Sequence, residues 1–247
     1  MSAVRPLRAL WRLFAAMAQT ALGLFIVLVV FPWRAPKQRE ATIEAWSRSL
    51  LRRLGVALAV QGGPRAGANL LVANHVSWLD ILVIHASCPR ARFVSKAEVR
   101  DWPLVNRMID SAGTLYLQRG RSRDALRVVH QIAACLQAGG TVAIFPEGTT
   151  GAGVTLMPFH ANLLEAAIVT DTPIQPLAIA YADARGPRSQ AVAFVGETTL
   201  WQSLWAVVSA DGLRAEVTWL DAVGTRHADR RALAARLQLS VEQALRS

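Results

Sequence analysis

Residues 13–31 contain no charged side chain, and no other part of the 247-residue chain restricts its possible folds so strongly. Trp11 and Trp33 bracket the run, with Arg5, Arg8 and Arg12 before it and Arg34, Lys37 and Arg39 after it. A helix from Trp11 to Trp33 is about 33 Å long at 1.5 Å per residue, enough to cross the hydrocarbon core of a bilayer. The run therefore predicts a membrane helix. Its flanks are basic at both ends, so charge asymmetry assigns no orientation. Phe31-Pro32-Trp33-Arg34 stands where a cleavable signal peptide would place small residues, which argues against removal of the segment.

Beyond Pro36, Ile43, Trp46, Leu50, Leu51 and Leu54 recur at helical spacing over residues 41–54, with Arg48 and Arg52 opposite and Arg53 at the margin. This basic amphipathic helix, joined to the first through the turn at 32–36, can close a hairpin that dips into one leaflet. A full span by the first helix fits the same residues. Composition agrees with membrane contact: 53% of residues are hydrophobic, 18% are charged and the mean hydropathy is +0.28. A formal net charge of +10 suits either nucleic acid or an anionic membrane surface. The arginines are spread along the chain without a recognition motif, so the partner expected is membrane lipid and not nucleic acid. Cys88 and Cys135 lie in no C-x-x-C or metal-ligand pattern and read as structural thiols.

From residue 56 onward, short apolar runs alternate with helical patterns. Strands are expected at 56–60, 70–73, 92–95, 114–117, 141–145, 174–180, 191–195 and 216–220. Residues 122–138 predict a helix, with Ala125, Val128, Val129, Ile132 and Leu136 on one face and Gly139-Gly140 as the stop. Residues 227–246 predict a C-terminal amphipathic helix with a polar face. The alternation argues for an α/β fold. The expected division is a pair of membrane-anchoring helices at 1–55 and one α/β domain with a mixed, largely parallel sheet at 56–247.

Two loops of that domain carry chemistry. Asn74-His75-Val76-Ser77-Trp78-Leu79-Asp80 joins a strand-like run to an apolar helix start. The S-x-x-D spacing predicts Ser77 as the N-cap and Asp80 in the first turn. His75 then precedes the helix. On one regular helix, residues five apart point about 140° away from each other; a turn removes that obstacle. Asp80 can fold back on one imidazole nitrogen and leave the other to accept a proton, the arrangement of acyl-transfer sites. A capping box beside an ordinary loop histidine accounts for this heptapeptide equally well. Phe145-Pro146-Glu147-Gly148-Thr149-Thr150 follows another buried-looking strand. There Glu147 can accept from a hydroxyl and Gly148 permits close backbone approach, or the segment is simply a tight turn.

Four blocks in this order, N-H-x-S-x-x-D at 74–80, Gly113 to Arg119, F-P-E-G-T at 145–149 and Pro173-Ile174-Gln175-Pro176, resemble the glycerolipid acyltransferases. The resemblance covers roughly residues 55 to 180. It implies a membrane-bound enzyme on the cytoplasmic side of the inner membrane. Such an enzyme moves a fatty acyl group from an acyl-CoA or acyl carrier protein thioester to the sn-2 hydroxyl of lysophosphatidic acid, giving phosphatidic acid. It also implies His75 and Asp80 as the catalytic pair, and Arg119, Glu147, Gly148 and Thr149 as residues that bind the lysophospholipid acceptor. The substrate hydroxyl is then the nucleophile, and the chain has no G-x-S-x-G elbow to supply another. No cofactor or catalytic metal is implied. A reading of another class is a membrane lipid-binding protein without catalysis.

One position departs from the family pattern: Thr150 stands where many members carry Arg after F-P-E-G-T. The missing cation makes another lysolipid, such as lyso-ornithine lipid, the alternative acceptor. If the acceptor carries a phosphate monoester, Arg119 is its main anionic anchor. Arg119→Ala should then raise the Michaelis constant for lysophosphatidic acid by at least about tenfold, since charge-assisted hydrogen bonds contribute roughly 1.5–3 kcal/mol. Steady-state kinetics on that acceptor check this.

Overall fold

The apolar runs assemble into a seven-stranded sheet of order β1-β7-β6-β2-β5-β3-β4. Its strands are β1 (Ala57–Gln61), β2 (Asn69–Ala73), β3 (Ala91–Lys96), β4 (Leu115–Leu117), β5 (Thr141–Ile144), β6 (Ile174–Ala182) and β7 (Arg214–Trp219). The helices are α1 (Val4–Phe25), α2 (Pro36–Leu54), α3 (Leu79–His85), α4 (Val105–Ser111), α5 (Ser122–Gln137), α6 (Glu165–Val169), α7 (Leu200–Ser209) and α8 (Arg230–Arg246). The structure, a computed structural model, describes residues 4–96, 105–117, 122–153 and 155–246.

Successive side chains of a strand point to opposite faces, and β2 divides accordingly. Leu71 and Ala73 join Leu177 and Ile179 of β6 under α1, α2, α3 and α7. Leu70 and Val72 join Val142 and Ile144 of β5 under α5, α6 and α8. Burial on both faces is why these strands read as unbroken apolar runs. β6 and β7 pair antiparallel, and every other pairing is parallel. The chain is thus α/β with a mixed, mostly parallel sheet, as the alternation predicts. Because β2 and β5 are adjacent and parallel, with Val72 opposite Ile144, the loops that leave their carboxyl ends emerge side by side.

Residues 191–195 correct one expectation, for they form no strand. Their backbone groups are taken elsewhere: Phe194 donates its N–H to the Val76 carbonyl and accepts at its own carbonyl from Thr150 Oγ1. The segment closes over the two motif loops instead of extending the sheet. Ser77 corrects another. Helix α3 starts at Leu79 with Trp78 as its cap residue, and the Ser77 hydroxyl lies 3.4 Å from the Leu79 amide. Only the Asp80 half of the capping box forms, because its carboxylate takes the Ser77 amide at 2.9 Å.

At the N-terminus α1 passes through a π-helical turn, Ile26–Val30, and a 3₁₀ turn, Phe31–Trp33, before the chain reverses into α2. The Trp46 indole donates to the Gln19 carbonyl at 2.9 Å, and the Arg39 guanidinium lies 5.9 Å over the Phe31 ring. A Cβ on Gly23 would run into Trp46, and one on Gly55 into Arg12. Matching 12 with 55, 19 with 46 and 31 with 39 makes α1 and α2 antiparallel. Arg12 Nη1 donates to the Val208 and Ala210 carbonyls at 3.1 and 2.9 Å, and Arg8 pairs with Asp211 at 2.9 Å. These contacts dock the start of α1 on the end of α7. Pro6–Trp33 is the stretch of the described residues long and apolar enough to cross a membrane, and Leu10, Trp11, Phe14 and Met17 are exposed along it.

His85 is a core histidine, as its place within α3 suggests. Its Nε2 bonds the Ala91 carbonyl at 3.0 Å and its ring meets Phe93 edge-on. Burial pushes its pKa down to about 4. The folded chain keeps His85 neutral while the unfolded chain protonates it below about pH 6.5. Stability should therefore be lost as pH falls from about 6.5 towards 4. His85→Gln keeps a donor for Ala91, and should flatten that part of a chemical-denaturation profile relative to the wild type.

Candidate active site

Asn74 sets the exit of β2. Its side-chain amide donates to the Ile179 carbonyl at 2.9 Å and its Oδ1 accepts from the Ile179 amide at 2.8 Å, so it pairs with β6 as a further strand residue would. The backbone then turns. His75 Nδ1 lies 2.8 Å from Asp80 Oδ2, and that oxygen also accepts from the Val76 and Ser77 amides at 2.7 and 2.9 Å. Asp80 Oδ1 accepts from the Tyr181 hydroxyl at 2.7 Å. The carboxylate is fully buried, with four donors meeting it.

A carboxylate whose oxygens already receive two amides and a phenol offers His75 Nδ1 only acceptor lone pairs. It therefore requires the hydrogen of His75 to sit on Nδ1, leaving a lone pair on Nε2. No described residue hydrogen-bonds Nε2, and the side chain retains 20% exposure. Its ring is stacked on Phe145, centroids 3.9 Å apart and 11° from parallel. Burial and the neighbouring Asp80 push the Tyr181 phenol well above its ordinary range, so it stays a donor.

Glu147 is buried, but its geometry differs from that expected of a carboxylate facing an acceptor hydroxyl. Its Oε1 accepts from the His75 amide at 2.7 Å and its Oε2 from the Met157 amide at 2.9 Å. Burial raises its pKa, against the pull of those two donors. Glu147 thus staples the β2 loop to the chain beyond the β5 loop, and Gly151 adds a bond from its amide to the His75 carbonyl at 2.8 Å. Gly148, at φ +72°, makes the tight turn between the staple and the loop tip, where Gly148 and Thr149 are exposed. The Thr150 hydroxyl is spent on the Phe194 carbonyl. Arg119 lies outside the described residues, while Gly113, the first residue of its block, closes α4 at φ +72°.

The sequence missed three participants. Tyr181 comes from β6, about a hundred residues away, and nothing in its neighbourhood marks it. Phe145 sits within the recognised block, yet a stacking role has no sequence signal. Trp78, inside the heptapeptide, donates its indole N–H to Ser203 of α7 at 3.0 Å. Of the remaining histidines, His160 stands close to the second loop, its amide bonded to the Pro146 carbonyl at 2.9 Å, with its side chain exposed. Among the described residues no group of His, Cys, Asp and Glu is arranged to hold a metal.

A partly exposed His held by a buried Asp at the carboxyl ends of two parallel strands defines a class, an α/β fold that presents a His–Asp pair from its sheet. The comparisons give that class a family: residues 59–180 match the Acyltransferase family model. The chain is 35% identical over 207 residues to lyso-ornithine lipid O-acyltransferase of Pseudomonas aeruginosa, covering 84% of this chain and 79% of that one. It is 33% identical over 188 residues to 1-acyl-sn-glycerol-3-phosphate acyltransferase of Neisseria gonorrhoeae, covering 75% and 72%. The crystal structure of the acyltransferase PlsC from Thermotoga maritima superposes with a TM-score of 0.75 at 22% identity, over 98% of this chain and 95% of that one, and shares the fold. This protein belongs to the acyltransferase family.

Glutamine at 147 would present one acceptor oxygen to two amides and turn its NH₂ against one of them. Glu147→Gln should cost roughly 1–3 kcal/mol, a fall of about 2–4 °C in Tm for each kcal/mol. Thermal unfolding in a mild detergent measures it.

Proposed function

We propose that this acyltransferase moves a fatty acyl group from an acyl-CoA or acyl carrier protein thioester to the free sn-2 hydroxyl of lysophosphatidic acid, with His75 as general base. The single observation that carries the reading is the 2.8 Å contact of His75 Nδ1 with buried Asp80, with Nε2 left open. Nε2 accepts the proton of the acceptor hydroxyl as its oxygen attacks the thioester carbonyl. Asp80 stabilises the imidazolium. Collapse of the tetrahedral intermediate breaks the C–S bond, and the departing thiolate takes the proton back from His75. The acceptor supplies the nucleophile, so neither Cys88 nor Cys135, both buried, has a part. Gly148 and Thr149 at the loop tip, with Arg119, are the residues assigned to the acceptor, and Glu147 holds their loop against His75.

A helix-hairpin membrane anchor belongs to the same reading. The start of α1 and the end of α2 both rest on the α/β domain, so an α1 that crossed the bilayer would require α2 to return through it. α2 carries Lys37, Arg39, Glu40, Glu44, Arg48, Arg52 and Arg53, a load that hydrocarbon does not accept. A hairpin entering one leaflet satisfies both helices. The cytoplasmic face of the inner membrane suits its basic ends and the unpaired cysteines.

Thr150 favours a second acceptor. It offers no charge, its hydroxyl is already donated, and the Pseudomonas relative is named for lyso-ornithine lipid. Transfer of labelled acyl groups by the purified protein to a panel of lysolipids tests both readings. His75→Ala, correctly folded, should lower turnover by roughly 10² to 10⁴ on whichever acceptor is used. Undiminished transfer by that variant would remove the base. Efficient acylation of lyso-ornithine lipid alone would change the acceptor and leave the base standing.

A further inference from the structure

The outward side of helix α7 carries two tryptophans beside the polar Gln202 and Ser209. Ser203, Val207 and Val208 face the core, whereas Leu200, Trp201 and Trp205 are exposed, Trp201 at 60%. Trp201 and Trp205 are four residues apart and share one face. Thr199 caps the helix through the Gln202 amide at 3.2 Å, so the face is built on a well-formed helix.

We infer that this face of α7 is a second lipid-contacting surface, which seats the site against the bilayer beside the α1–α2 hairpin. The inference rests on the hairpin reading above. Three observations commit the face to lipid. The first is continuity. Arg8 meets Asp211, and Arg12 meets Val208 and Ala210, so α1 and α7 are neighbours that run antiparallel, and α1 has its own exposed apolar residues in Leu10, Trp11, Phe14 and Met17. The second is depth. At 1.5 Å per residue, Trp205 and Trp201 lie about 6 and 12 Å from the level of Arg12, towards the apolar part of α1. The third is charge. Exposed Arg52 and Arg53 end α2, and exposed Arg214, opposite Ala57 at the start of β7, lies at the same end. Basic residues at the level of the head groups with tryptophans just beyond them match the ordering of an interfacial helix.

The face is coupled to the chemistry. Ser203, on the inner side of α7, accepts from the Trp78 indole between His75 and Asp80, and Phe194, just before α7, bonds Val76. A lipid acceptor therefore enters beside a helix already immersed at its own depth.

The test uses the full chain reconstituted in vesicles containing anionic lipid, with an environment-sensitive fluorophore on Trp205→Cys and, separately, on Gln190→Cys as an exposed control. Lipids brominated along the acyl chain should quench the label at 205 by at least about twofold, the depth reached by an interfacial helix, and spare that at 190. A label at 205 that stays in water on vesicles carrying the protein overturns the inference while leaving the hairpin intact. Failure of the protein to float with vesicles at all would remove the hairpin reading, and this inference with it. A shift at 205 that follows protein concentration in detergent, without lipid, would assign the face to a second copy and overturn the inference too. Neither readout depends on acyl transfer.

Discussion

A carboxylate excluded from water must have its oxygens met by donors, and the fold around Asp80 is organised by that requirement. Two donors are amides of its own loop, so the β2–α3 connection has to curl back over the side chain. The third is Tyr181, which fixes the loop against β6. The fourth is His75. Each of these bonds to a buried charge counts for roughly 1.5–3 kcal/mol, and leaving the charge short of a partner costs more than a neutral group would. The imidazole is thus oriented by a group whose own position is over-determined.

Glu147 meets the same physics with a different result. It too is buried and too far from bulk water to ionise freely, yet its two donors are backbone amides from separate segments. Its consequence is mechanical. The β2 loop and the β5 loop, already adjacent because their strands are neighbours, are locked at the atom where His75 begins. One carboxylate holds the imidazole and the other holds the peptide that carries it.

The α/β class was legible because strands buried on both faces leave long apolar runs, and because α5 shows its period over several turns. Both motif loops were legible as pairs of residue types, and their adjacency follows once β2 and β5 are known to be parallel neighbours. Most of what escaped depended on contacts distant in sequence. Tyr181 reaches Asp80 from about a hundred residues away, and no spacing records it. Residues 191–195 have the apolar pattern of a strand, but Val76 and Thr150 claim their backbone groups first. Ser77 has the right type and spacing for a cap, yet with Asp80 bonded to the Ser77 amide and to His75 at once, the cap falls one residue later, on Trp78.

The layering of the molecule carries the last step. Helices α1, α2, α3 and α7 share one face of the sheet, and α3 begins at the motif. The elements suited to lipid and the elements that set His75 are therefore one packed layer, while α5, α6 and α8 keep the other face. Trp78 joins the two roles directly, since its indole reaches from the motif loop to α7. An acceptor with a fatty chain has a reactive hydroxyl near the membrane surface and most of its apolar area below it. Burying that chain in the protein would have to compete with the bilayer at about 0.8 kcal/mol per CH₂. On the proposed function, a site at the edge of a lipid-facing layer would avoid the competition: the chain would stay in lipid, and the protein would have only to recognise a head group and deprotonate one hydroxyl.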